Sequence, residues 1–185
     1  VTTDQVAQIT STQIASLETR DLAQFSSLQI AAITTGSLAG LTTTQVKTIS
    51  TTQIAALTSA QVTQLSTLQV AAITSSQIVG LETTDAAVLS SSQLGALTTT
   101  TLRSLLTTDL VALTTTALAG LSTRQMASFT STQVVAFTTN QVIAFTSTQT
   151  EGFTAVQSAT LTSTQLTAIL RNSYPAFNAL FTRNN

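Results

Sequence analysis

A large apolar residue returns every eight positions along this chain. The series starts at Val1 and runs through Ile9, Leu17, Phe25 and Ile33 to Ile169 and Phe177, 23 positions with no insertion or deletion. With that residue as position one, position two is Ser or Thr in 18 of the 21 octads between 1 and 168, the exceptions being Glu18, Glu82 and Leu106. Position three is Ser or Thr in 20 of them, failing at Ala155. Position five is Gln in 15, and Asp at Asp21, Asp85 and Asp109. Position six is again large and apolar in 18, and position eight is mostly small. Positions four and seven collect Asp4, Arg20, Lys47, Arg103, Arg124 and Glu151, so they are predicted to face solvent.

Thr and Val favour strands, and short regular repeats can build a β-solenoid. The spacing argues against that alternative. Strand faces alternate every two residues, whereas the two apolar anchors, positions one and six, have opposite parity. Tight β-corners also need Gly, Asn or Asp in a fixed place, and no octad position requires Gly. The helical reading accounts for more. Thr at position two and Gln at position five form a capping box, in which the hydroxyl accepts from the N3 amide and Gln reaches back to the N-cap amide. Positions one and six then become the hydrophobic staple pair. Asp in place of Gln suits a first helical turn, where an acidic group meets the helix dipole.

The expected fold is all-α: a solenoid of tandem eight-residue repeats over 1–169, each a very short capped helix, followed by a divergent capping segment over 170–185. Single-turn helices do not persist alone because nucleation is costly. They must stack, with two or more octads per coil. Position three keeps its hydroxyl even where position two becomes Glu18, Glu82 or Leu106. Either the N-cap is one residue later or a second hydroxyl bonds between coils; the pattern leaves both open. Val1 is already in register, so that end is expected to be open to a preceding octad or to another copy.

Composition removes most chemistry. There is no Cys or His, and charged residues make up 7% of the chain, against roughly 25% in ordinary proteins. That excludes a thiol nucleophile, an imidazole base and a soft-metal site. Six Lys and Arg with a net charge of −1 do not make a phosphate-binding surface, so no nucleic-acid partner is expected. Mean hydropathy is +0.36, yet Thr, Ser and Gln interrupt every apolar run well short of the ~18–20 residues a membrane span needs.

Few residues remain as candidates for a site. The pairs Glu18–Asp21 and Glu82–Asp85 could bind Ca²⁺ or do acid–base work; the simpler reading is that Asp replaces Gln as the capping residue and Glu is solvated. Phe129, Phe137, Phe145 and Phe153 occupy the core position and are expected to pack there rather than form a ligand strip. Gly40, Gly80 and Gly120 recur at position eight, where close backbone approach explains them. Catalytic, cofactor and metal residues are expected to be absent.

The unit Leu41-Thr42-Thr43-Thr44-Gln45-Val46 resembles octad tracts of very large bacterial secreted or surface proteins described as adhesin-like or RTX-like. That resemblance covers nearly the whole chain, to about 169. It also resembles the opening of the first helix in TAL-effector repeats, without their base-reading pair. What it implies is a non-enzymatic spacer, stalk or self-assembling filament at the cell surface or outside the cell, associating end to end or side by side. The alternative is a binding module whose Thr/Ser face recognises ice, glycan or another surface.

Overall fold

A computed structural model describes residues 1–173. Twenty short α-helices and one 3-10 turn follow one another, nearly all of four to six residues. The all-α expectation holds. In almost every octad the helix starts at position three, because position two is the N-cap: Thr2, Thr10, Thr42 and their equivalents sit in extended backbone, and their hydroxyls accept from the position-five N–H. The helix stops at position one, which is also extended, as at Leu17 with φ −64° and ψ 138°. Two extended residues therefore separate consecutive helices. No residue among those described has positive φ, which is why the turn makes no demand for Gly. Where Leu170 and Arg171 replace the usual hydroxyls, the helix does not restart and runs on from Ser163 to Ser173. The expected boundary at 169/170 thus falls inside a helix, and most of the expected capping segment lies outside the described residues.

Helices pair with the third helix along, so three octads make one coil of 24 residues. Octads spaced by three stack into one of three faces. Positions one and six fill the interior, as predicted, except towards the ends, where Val1, Ser158 and Leu166 are exposed. Position six is the deeper: Val6, Ile14 and Leu22 are fully buried even in the first coil. Between Ile54 and Leu97 the ten core side chains leave a void of about 10 Å³, at the lower limit of what a water needs. The interior there is packed core and not a lumen. Position four is exposed in every described octad, and position seven is exposed or half-buried. The four phenylalanines pack edge to face around successive octads, with ring centroids 5.2, 5.2 and 6.0 Å apart.

The closest approach between coils is from position eight of one octad to the position-three carbonyl of the octad stacked on it. A Cβ on Gly40 would overlap the Ser11 carbonyl, and one on Gly120 that of Ser91; at Gly80 it would lie 2.5 Å from the Thr51 oxygen. The recurring glycines are steric, as expected. Gly120→Ala should cost about 1–3 kcal/mol by overpacking, measured by denaturant melting. Gly36, with nothing within 4 Å of its added Cβ, should accept Ala without loss.

Candidate functional site

Position five carries the chemistry that organises the coil. In each Gln octad the side chain Oε1 accepts from the position-two N–H, as in Gln61 with Thr58 at 2.8 Å. The Thr58 hydroxyl accepts in return from the Gln61 N–H at 3.2 Å. This is the capping box the pattern predicted. The same side chain then does something further. Nε2 of Gln61 donates to the Ile30 carbonyl at 2.9 Å and the Ile33 carbonyl at 2.7 Å, 31 and 28 residues earlier. Gln45, Gln53, Gln69, Gln77, Gln93, Gln133, Gln141, Gln149, Gln157 and Gln165 repeat both bonds at the same offsets. Gln125 shifts one of them, to Gly95.

The accepting carbonyls belong to positions six and one, at the C-terminal end of a helix in the preceding coil. Helix ends leave such carbonyls without intrahelical partners. Each glutamine thus caps the start of its own helix and the end of another. From Gln45 to Gln165 these side chains are buried. Gln5 and Gln13, which have no coil before them in this chain, are exposed.

Where position five is not Gln, the bonding changes by chemistry. Thr101 reaches one carbonyl, that of Ile73 at 3.0 Å, and the Ser37 hydroxyl donates to the Ile9 carbonyl. Ala117 reaches none. Asp corrects the expectation made for it. In the octads of Asp21, Asp85 and Asp109 the N-cap residues Glu18, Glu82 and Leu106 make no side-chain cap bond, so Asp does not replace Gln as a cap. Its side chain is one methylene shorter, and both members of the box change together. Asp85 instead accepts from the Ser59 hydroxyl at 2.6 Å, and Asp109 from that of Thr83 at 2.9 Å. Both donors are position-three hydroxyls of the preceding coil. Thr51, also at position three, donates across coils to the Ser76 carbonyl. Position two is therefore the cap, and position three bonds between coils at these octads.

The two predicted acidic pairs lie on different faces and are not brought together. Glu18, Asp21 and Glu82 are exposed, while Asp85 is buried. The structure adds to the candidates a residue that the pattern offered only as a first-turn acid: Asp109, 1% exposed, whose Oδ2 is buried without a hydrogen-bond partner. It lines an open cleft of about 420 Å³ with Thr51, Gly80, Glu82, Thr83 and Leu106. Among the described residues no group of three His, Cys, Asp or Glu is placed to hold a metal ion.

Burial pushes the Asp109 carboxyl above its ordinary value of 3.8; the Thr83 and Thr108 hydroxyls oppose this and the Glu82 charge adds to it. Burial likewise raises Asp85, against the Ser59 hydroxyl and with Glu82 adding to the rise. An acid whose folded pKa is raised holds its proton longer in the folded chain. It costs nothing below the unfolded value, destabilises increasingly as pH rises from the unfolded to the folded value, and levels off above that. Stability should therefore increase as pH falls from neutral towards 4, and Asp109→Asn should raise the neutral-pH melting temperature and flatten that dependence. A wild-type profile without this rise would contradict the assignment.

The ALTTAQ repeat family model matches residues 14–49, 30–67 and 102–139. No curated protein and no solved structure matches the chain. No helix among the described residues is long and apolar enough to cross a membrane. Over these segments the chain is similar to the ALTTAQ repeat family, whose short tandem unit agrees with the octad seen in the fold.

Proposed function

We propose that the chain is a non-enzymatic structural repeat segment: a spacer or stalk of a bacterial surface or secreted protein, able to assemble end to end. The observation that carries this reading is the glutamine bond between coils, repeated at fixed offsets of 28 and 31 residues. Such an array is quasi-one-dimensional, since each coil needs only its neighbours. It lengthens without changing its cross-section. The resemblance to giant secreted proteins supports a place outside the cell.

The second reading rests on the exposure of position four, which stacks Thr52, Ser76 and Thr100 on one face and Thr84, Thr108 and Thr132 on another. Arg124 and Val156 end those rows after three coils, too short a lattice for an ordered ice or glycan surface. The test is to insert one further copy of residues 49–72 and measure small-angle scattering, with electron microscopy at high concentration. A spacer should gain length at constant cross-sectional radius and form filaments. A changed cross-section would contradict it, and thermal hysteresis or glycan binding without filaments would favour the Thr/Ser face.

A further inference from the structure

The glutamine fasteners are not evenly distributed. The coils 49–72, 121–144 and 145–168 each carry three: Gln53, Gln61 and Gln69 in the first, for example. The coil 97–120 carries none, its position-five residues being Thr101, Asp109 and Ala117. The carbonyls that face them across the seam belong to the coil 73–96 and the end of the one before. In place of six or more amide bonds, the position-five side chains of this coil make the Thr101 bond to Ile73 and accept one from Thr83 to Asp109.

We infer that the boundary between coils 73–96 and 97–120 is a built-in weak seam, where the solenoid opens and bends before it does so at any other inner boundary. Three separate features fall on it. The 420 Å³ cleft opens onto it, with Val79, Gly80 and Glu82 on one side and Leu106, Thr108 and Asp109 on the other, and extends to Thr51, Thr52 and Ala55 of the coil before. Asp109 keeps its buried, unpartnered oxygen there. On the near side, Ile78–Gly80 winds as a 3-10 turn, in the one octad among those described without an α-helix.

Opening has a preferred direction. On the face of octads 89–96 and 113–120 the backbones are in their closest contact, with Gly120 against Ser91 and Gly95 against the Gly120 carbonyl. That contact is the hinge, and the faces carrying Thr101 and Asp109 are the ones that part. The inference concerns where the array yields, and it stands whether or not the chain serves as a spacer. Local openings of this kind are read by amide hydrogen exchange, because single-turn helices lose protection when their stacking partner leaves.

In the full chain, amides of 73–88 and 97–112 should exchange at least about tenfold faster than those of 49–64 and 121–136. Thr101→Gln combined with Asp109→Gln should bring them to the level of the other coils. Should that variant fail to fold, Gln53→Ala combined with Gln61→Ala supplies the converse, creating a new fast-exchanging region over 25–40 and 49–64. Uniform protection across the inner coils of the wild-type chain would overturn the inference. So would unchanged fast exchange in a folded repaired variant, or a converse variant that stays uniformly protected.

Discussion

Gln61→Glu should destabilise the array by about 3–5 kcal/mol at neutral pH, the range for leaving a buried charge without its partner. The substitution keeps the shape of the side chain and its capping oxygen. What it removes is the Nε2 donor that serves Ile30 and Ile33, and it sets a carboxylate against two carbonyl oxygens in a site 2% exposed. Gln61→Ala, which deletes the bonds without adding charge, should cost less, about 2 kcal/mol. The order matters more than the sizes. If position five served only to cap its own helix, Glu would be as good as Gln, since the capping box accepts either. Denaturant melting that placed Glu within 0.5 kcal/mol of the wild type, a limit set by ordinary surface changes, would contradict the bonding between coils. Acidification should recover part of the loss, because a protonated carboxyl regains one donor.

Leu97→Asp should be more damaging still, at about 4 kcal/mol or more. It combines the loss of a buried Leu, about 2–5 kcal/mol, with an unpaired carboxylate in apolar surroundings. Leu97 is 3% exposed and belongs to the continuous core. Because each coil is supported by its neighbours, the expected outcome is fraying from this point, seen as lost far-UV helical signal and a lower melting temperature. Leu68→Asp is the matched control: Leu68 stands at position four, 72% exposed, and should change stability by no more than about 0.5 kcal/mol. Equal melting of the two variants would refute the assignment of positions one and four.

Much of this was legible in the octad. Opposite parity of the apolar anchors argued against a strand, and Thr with Gln three residues on marked the helix start that Thr42 and Gln45 in fact make. The glycines at 40, 80 and 120 were readable as close contacts because they sat at one position. The number of octads per coil was not readable, since an eight-residue period looks the same whether two, three or four units close a turn. Nor was the second task of Gln recognised, although its trace was present. Position five admits Asp three times and Glu never, and a helix start has no reason to refuse Glu. The refusal reflects the two carbonyls of the preceding coil, which need an amide. The burial of Asp109 was unreadable for a related reason: its hydroxyl partner Thr83 lies 26 positions away, beyond any local motif.

The most direct test of the account is a through-hydrogen-bond NMR correlation on the ¹⁵N,¹³C-labelled chain, linking glutamine side-chain amides to backbone carbonyls. A three-octad coil fastened by glutamine predicts cross-peaks from Gln61 Nε2 to the carbonyls of Ile30 and Ile33. The same pair should link Gln133 to Leu102 and Leu105. Correlations from Gln61 or Gln133 to carbonyls outside the 28–31 residue offset, or buried glutamine amides that exchange freely with solvent in the folded chain, would contradict it.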